Sequence, residues 1–231
     1  MIEDRKRTKG DNGKENQEGV IKNNLPIKKR NWGDLEIEKT LIDAFVMRYD
    51  GITGNIQRSN DLFEKCKEHD LAKAMLTFIR RTKSMDKQKE AIAIIFSYLE
   101  ENDDLNDLQE EVLRVKNELC GFCERMIGFM FCNLRFMLDT GKGKQYLAKA
   151  IERDTCASSS AFYELGFFYY RPPLECFLEK NIELSLQYFQ KGAEKGDLRC
   201  NFIVGCIYES KTFSNFFFSF TLVASQKKEM G

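Results

Sequence analysis

Proline is scarce in this chain, with three in 231 residues, so the residue that most reliably breaks helices interrupts the sequence at few places. Alternating runs of strand-type residues are also missing, which excludes a sheet-based fold and leaves an all-α class. Histidine occurs once, at His69. With no second histidine, no Gly-x-Ser-x-Gly and no inward pair of carboxylates, neither a nucleophilic triad nor a general-base scheme has residues to draw on, and no enzyme is expected. Charge of one sign is lacking too: 36 basic residues face 36 acidic ones, so the whole-chain charge gives no pull towards nucleic acid or an anionic membrane. Long hydrophobic runs are absent. The most apolar stretch, "FSNFFFSFTLVA" at 213–224, has 12 residues against the roughly 20 that an apolar helix needs to span a bilayer, so no membrane partner is expected. The opening "MIEDRKRTKGDNGK" is charged from its first residues and lacks the apolar core of a secretory signal. The expected location is therefore the cytoplasm, with the nucleus as alternative, and the eight cysteines are expected as reduced thiols.

Residues 1–33 hold two basic triplets, "RKR" and "KKR", among Gly, Asn and Gln, with almost nothing apolar to bury, and the composition predicts a disordered basic tail. A helical region is expected over 34–118. Asp34 can cap "LEIEKTLIDAFVMRY", and Ser59 or Asn60 can cap "DLFEKCKEHDLAKAMLTFIRR", whose apolar residues follow a 3.6-residue period. His69 falls on the polar face of that second helix. "DKQKEAIAIIFSYLEE" predicts another helix, and the acidic "EENDDLNDLQEE" leads into a long one running through Met137. "TGKGKQ" at 140–145 lacks the spacing of a phosphate-binding loop and reads as a turn between helices.

A repeat occupies 119–231. "CERMIGFMF" (123–131), "AFYELGFFY" (161–169) and "CNFIVGCIY" (200–208) align without gaps, with Gly128, Gly166 and Gly205 spaced 38 and 39 residues apart. Glycine within a helix costs about 1 kcal/mol relative to alanine, and its recurrence in one register predicts close approach of a partner helix. That partner is supplied by "KQYLAKAIERDTCA" (144–157) and "LQYFQKGAEKGDLRC" (186–200), which align Tyr146 with Tyr188 and Ala150 with Gly192. Each unit is thus expected to be a helix pair, and such units stack. Residues 161–197, with Ala161, Leu165, Gly166, Tyr169, Tyr188, Phe189, Lys191, Ala193, Glu194, Gly196 and Asp197, resemble the Sel-one-like repeat, a relative of the tetratricopeptide repeat. The resemblance covers roughly residues 119–210. It implies an α-solenoid of stacked antiparallel helix pairs, preceded here by further helices. The chain departs from the family's pattern in "RPPLECFLEKN", where Pro172 and Pro173 must end a helix near Tyr170. After Tyr208 no second helix of the third unit is recognisable. The segment 213–224 is then expected either to fold back as a cap or to mediate self-association.

The register also places the cysteines. Cys123 and Cys200 align with Ala161, the small position of the first helix, where a cysteine packs as a small hydrophobe. The alternative is a zinc or thiol-redox site on Cys120 and Cys123 with Cys132, but a second Cys-x-x-Cys and a strand before Cys120 are both missing. No cofactor or metal is expected. The resemblance implies an adaptor or scaffold that binds a protein or peptide rather than a small-molecule substrate. In the related tetratricopeptide repeat one stripe of the first helix lines the inner groove. Carried over, that stripe gives Arg125 and Phe129, then Tyr163, Phe167, Tyr170 and Arg171, then Arg199 and Phe202, with Phe122, Asn133 and Glu209 beside them. Arginines and aromatics suit a partner carrying acidic residues among apolar ones.

Overall fold

The computed structural model describes residues 35–49, 53–80, 82–103, 108–172 and 180–209. The basic tail at 1–33 and the apolar segment at 213–224 lie outside the described residues. Every regular element among the described residues is helical. In chain order they are α1 (Leu35–Tyr49), α2 (Thr53–Lys65), α3 (Asp70–Ile79), α4 (Met85–Glu101), α5 (Glu110–Asn133), a 3₁₀ turn (Arg135–Met137), α6 (Thr140–Glu152), α7 (Cys156–Tyr170) and α8 (Ile182–Glu194). A last helix, α9, covers 198–209.

Three sequence-based expectations are corrected. The long helix expected from Asp61 is two helices. α2 begins at Thr53, before the expected caps, with Ser59 buried inside it and its hydroxyl donating to the Ala44 carbonyl at 2.7 Å. The chain then turns, and His69 sits at the N-cap of α3, where its Nδ1 accepts the Leu71 amide at 3.2 Å. His69 is accordingly buried rather than on a polar face. Secondly, α5 stops at Asn133, where Leu134 adopts an extended conformation before the 3₁₀ turn. Thirdly, "TGKGKQ" is the first part of α6, started by Asp139 accepting the Lys142 amide at 3.1 Å. A good cap overrides the glycines' low helix propensity there. Before Pro172 and Pro173, α7 ends at Tyr170 as expected.

Consecutive helices pack as neighbours: α1 on α2, α3 on α4, α5 on α6 and α7 on α8. The central helix α5 also packs against α1, α4 and α7, and it runs across residue 118, where the sequence suggested a change of region. The largest apolar core joins α1 to α5, with the Phe45 ring stacked on Phe122 at 4.6 Å and edge-on to Phe63 at 5.2 Å. Glu38 is buried there and holds the Lys116 ammonium at 2.5 Å, an ion pair that ties α1 to α5 across the apolar contact.

The repeated glycines meet their expected partners in the first two units. A Cβ on Gly128 would lie 2.6 Å from Leu147, and one on Gly166 would lie 2.7 Å from the Phe189 ring. Leu147 and Phe189 occupy the same column of the sequence alignment. So do Tyr146 and Tyr188, which stack on Phe131 at 5.9 Å and on Tyr169 at 5.6 Å. The turns that follow match as well. Asp154 and Gly196 both have positive φ, 51° and 88°, and the next residues, Thr155 and Asp197, each cap the following helix through a side-chain oxygen. Neighbouring helices thus pack in a repeat-like manner over α5 to α8.

Candidate partner-binding face

The carried-over stripe divides into a covered part and an open part. At the covered end, Phe122 is buried under Phe45. Arg125 is 4% exposed. Its guanidinium pairs with Glu164 of α7 and lies 3.8 Å from the centroid of the Tyr49 ring, at the end of α1. Burial works to discharge Arg125, but Tyr49 and Glu164 outweigh it and raise its pKa, so the group stays cationic. Arg199 approaches the same tyrosine at 5.8 Å and the Tyr163 ring at 4.2 Å. It also holds Asp197 at 2.5 Å and the Ser160 hydroxyl at 3.0 Å. Two of the three arginines assigned to a partner are therefore engaged within the chain, around a residue from outside the repeats.

The open part lies towards the C-terminal ends of α5 and α7. Phe129 is 39% and Phe167 36% exposed, and Tyr163 stacks on Phe167 at 6.0 Å. These residues, with Asn133, Phe168 and Arg171, line a hollow of 350 Å³. Across Phe129 lies a second hollow of 290 Å³, walled by Met75, Phe78 and Ile79 of α3, by Met126 and Met130, and by Arg48 at its edge. Phe129 and Glu164 line both hollows. Arg171 is exposed at the C-cap of α7, and its guanidinium lies 5.7 Å from the Tyr170 ring. Tyr170 turns partly inward, edge-on to Phe189 of the second helix at 6.5 Å, and Phe202 of α9 is 71% exposed. The structure therefore gathers Phe129, Tyr163, Phe167 and Arg171 round one hollow, covers Arg125, and leaves Tyr170 and Phe202 outside it.

Sequence reasoning missed the contributions of Tyr49, of the α3 wall and of Glu164. A signal for Glu164 exists: it is the one acid in "CASSSAFYELGFFYY", and an acid on so apolar a helix calls for a cation. Nothing local in "VMRYDG" marks Tyr49, because its role depends on how α1 crosses the repeat helices.

A hollow of 660 Å³ on the other side of Tyr49 offers less. Its polar lining is committed to the fold: the Thr155 hydroxyl caps α7, Asp197 caps α9, and Glu118 accepts the Cys156 amide at 3.1 Å. The Cys-x-x-Cys pair is buried in the main core. Burial pushes the Cys120 thiol up to about 12 and the Cys123 thiol well above its ordinary value, so at neutral pH both are protonated and neither is a ready nucleophile or metal ligand. Among the described residues no group of three or more His, Cys, Asp and Glu side chains is arranged to hold a metal ion, and no helix is long and apolar enough to cross a membrane. No family model, curated protein or solved structure matches the chain.

Proposed function

We propose that this protein is a non-catalytic interaction scaffold. In this reading the helix pairs of the repeat region stack as a short solenoid of the Sel-one-like kind, and the face carrying Phe129, Tyr163, Phe167 and Arg171 binds a peptide segment of a partner protein. One observation carries the reading: Phe129 and Phe167 stand a third or more exposed round two adjoining apolar hollows, on a surface built by packed helices rather than loops. Exposed aromatics beside pre-formed hollows, with an arginine at the rim, are the composition of interface hot spots. The partner segment that fits has two apolar anchors, one for each hollow, and a carboxylate near the anchor of the 350 Å³ hollow to meet Arg171.

The test begins with peptides selected from a display library on the full-length protein. Selection should enrich segments with two apolar anchors and an acidic residue. The variant Phe129→Asp/Phe167→Asp should bind them at least about 30-fold more weakly, the effect of losing a hot spot worth ~2 kcal/mol. Circular dichroism should be unchanged, since both side chains are surface ones. Wild-type affinity in the double variant would reject this face as the binding site.

A further inference from the structure

The Gly205 face of α9 has a defined shape requirement. In α5 and α7 a side chain added at the equivalent glycine would collide with the second helix of its unit, whereas at Gly205 it would meet nothing within 4 Å among the described residues. Leu198 and Phe202 are exposed on the same helix, at 55% and 71%.

The two complete units show what such a face receives, because the second helix fills its roles at fixed distances from its N-cap. The caps are Asp139 in α6 and Asn181 in α8. Four residues on, a small residue lies against the glycine's own carbonyl: a Cβ on Gly143 would be 3.0 Å from the Gly128 oxygen, and the Ser185 hydroxyl donates to the Gly166 oxygen at 2.8 Å. Seven on, Tyr146 and Tyr188 stack on the first helix. Eight on, Leu147 and Phe189 cover the glycine. Eleven on, Ala150 is buried and Gly192 lies against Cys200 of the next unit.

The residues that follow α9 align with these positions in order, although they lack the tyrosine and the in-register Lys-x-x-Glu (149–152 and 191–194) by which the repeat is recognised in sequence. "NFFFSFTLV" at 215–223 stands against "NIELSLQYF" at 181–189. In this alignment Asn215 falls at the cap position, Ser219 at the small one, Leu222 at the stacking one and Val223 at the one over the glycine. Five residues, 210–214, separate the end of α9 from Asn215, as five, 134–138, separate the end of α5 from Asp139. The eleventh position, which faces a following unit in the complete pairs, is the polar Gln226, as an array terminus requires.

We propose that the α9 face round Gly205 is the docking site for residues 215–226 of the same chain, which complete the third unit and cap it. The proposal rests on the repeat register and not on the binding of any partner, so the two readings can fail separately. It commits the α9 surface to an intramolecular contact.

The test uses the full-length chain carrying Gly205→Cys and Val223→Cys, with Cys206→Ser to remove the neighbouring thiol. Mild oxidation should produce a bridge between positions 205 and 223 within one chain, located by peptide mass mapping in a protein that light scattering shows to be a monomer. Independently, Gly205→Leu should lower the thermal midpoint by about 2–4 °C or more, through collision with the docked segment. On a bare helix the same substitution would raise the midpoint, because leucine is the better helix former. A 205–223 bridge between two chains in a dimer would overturn the proposal by giving the face to a second copy. Absence of the bridge, or a midpoint that Gly205→Leu leaves unchanged or raises, would overturn it outright.

Discussion

At the scale of single residues, the cysteines show how far position outweighs motif. Cys120 and Cys123 have the spacing of a redox pair, yet both lie in the core joining α1 to α5, where a thiolate would be a charge without water. Burial is the main cause of the raised thiols, and the Arg153 guanidinium near Cys120 offsets only part of it. Among the cysteines of the described residues, alkylation at pH 8 should therefore modify Cys206 first and Cys156 more slowly, since partial burial and then Glu118 raise the Cys156 thiol. Cys120, Cys123 and Cys200 should stay protected until the chain unfolds. The linkage has a definite sign. The folded state keeps these thiols protonated, whereas the unfolded chain releases their protons above the ordinary value of 9.0. Their contribution is thus fully present below pH 9 and is lost as pH rises above it. A thermal midpoint that climbed between pH 9 and 10 in a reduced sample would contradict this account.

At the scale of elements, α1, α5 and α7 are pinned by a buried charge cluster rather than by apolar packing alone. Arg125 of α5 pairs with Glu164 of α7 beneath Tyr49 of α1. The other charge of the "CERM" sequence, Glu124, is held by Arg153 from beyond α6, at 2.7 and 3.0 Å. Removing one member of a buried pair strands the other, at a cost of about 3–5 kcal/mol, while replacing both with apolar residues restores most of the loss. Arg125→Met should therefore be strongly destabilising in urea titrations, and Arg125→Met/Glu164→Met clearly less so. A double variant no more stable than the single one would mean that the pair does not act as a unit. The sequence alignment placed Arg125 on the carried-over stripe as a candidate partner contact. That this arginine serves the fold was not legible, because its partners come from a helix 39 positions later and from one 76 positions earlier. The glycines behaved differently. Gly128 and Gly166 were legible as close-contact sites because a helical glycine is costly and its reason must lie within one helix pair. The break at Cys66–His69 was hidden because apolar periodicity continues across it, and a histidine cap leaves little trace in sequence.

At the scale of the whole molecule, burial is distributed unevenly. The main core draws on α1 to α5 and reaches Ala157 of α7, with large fully buried side chains such as Phe45, Phe63, Tyr98, Phe122 and Phe131. The clusters under α6 to α9 are small: Leu147, Ala161 and Leu165 anchor one, and Leu186, Phe189, Cys200 and Ile207 form the other. Local opening starts where burial is least. Amide hydrogen exchange should therefore run as a gradient. α8 and α9 should exchange first, α6 and α7 next, and the middle of α5 last, at rates set by global unfolding. Peptide-resolved mass spectrometry would read this directly. A peptide bound at the proposed site would supply a sharper form of the same test, because the two hollows lie between α5 and α7 with α3 as the far wall. Binding should slow exchange in α3, α5 and α7 together and leave α8 and α9 at their own rates. Protection that appeared in α9 alone would reject the Phe129 face and place the proposed site on α9.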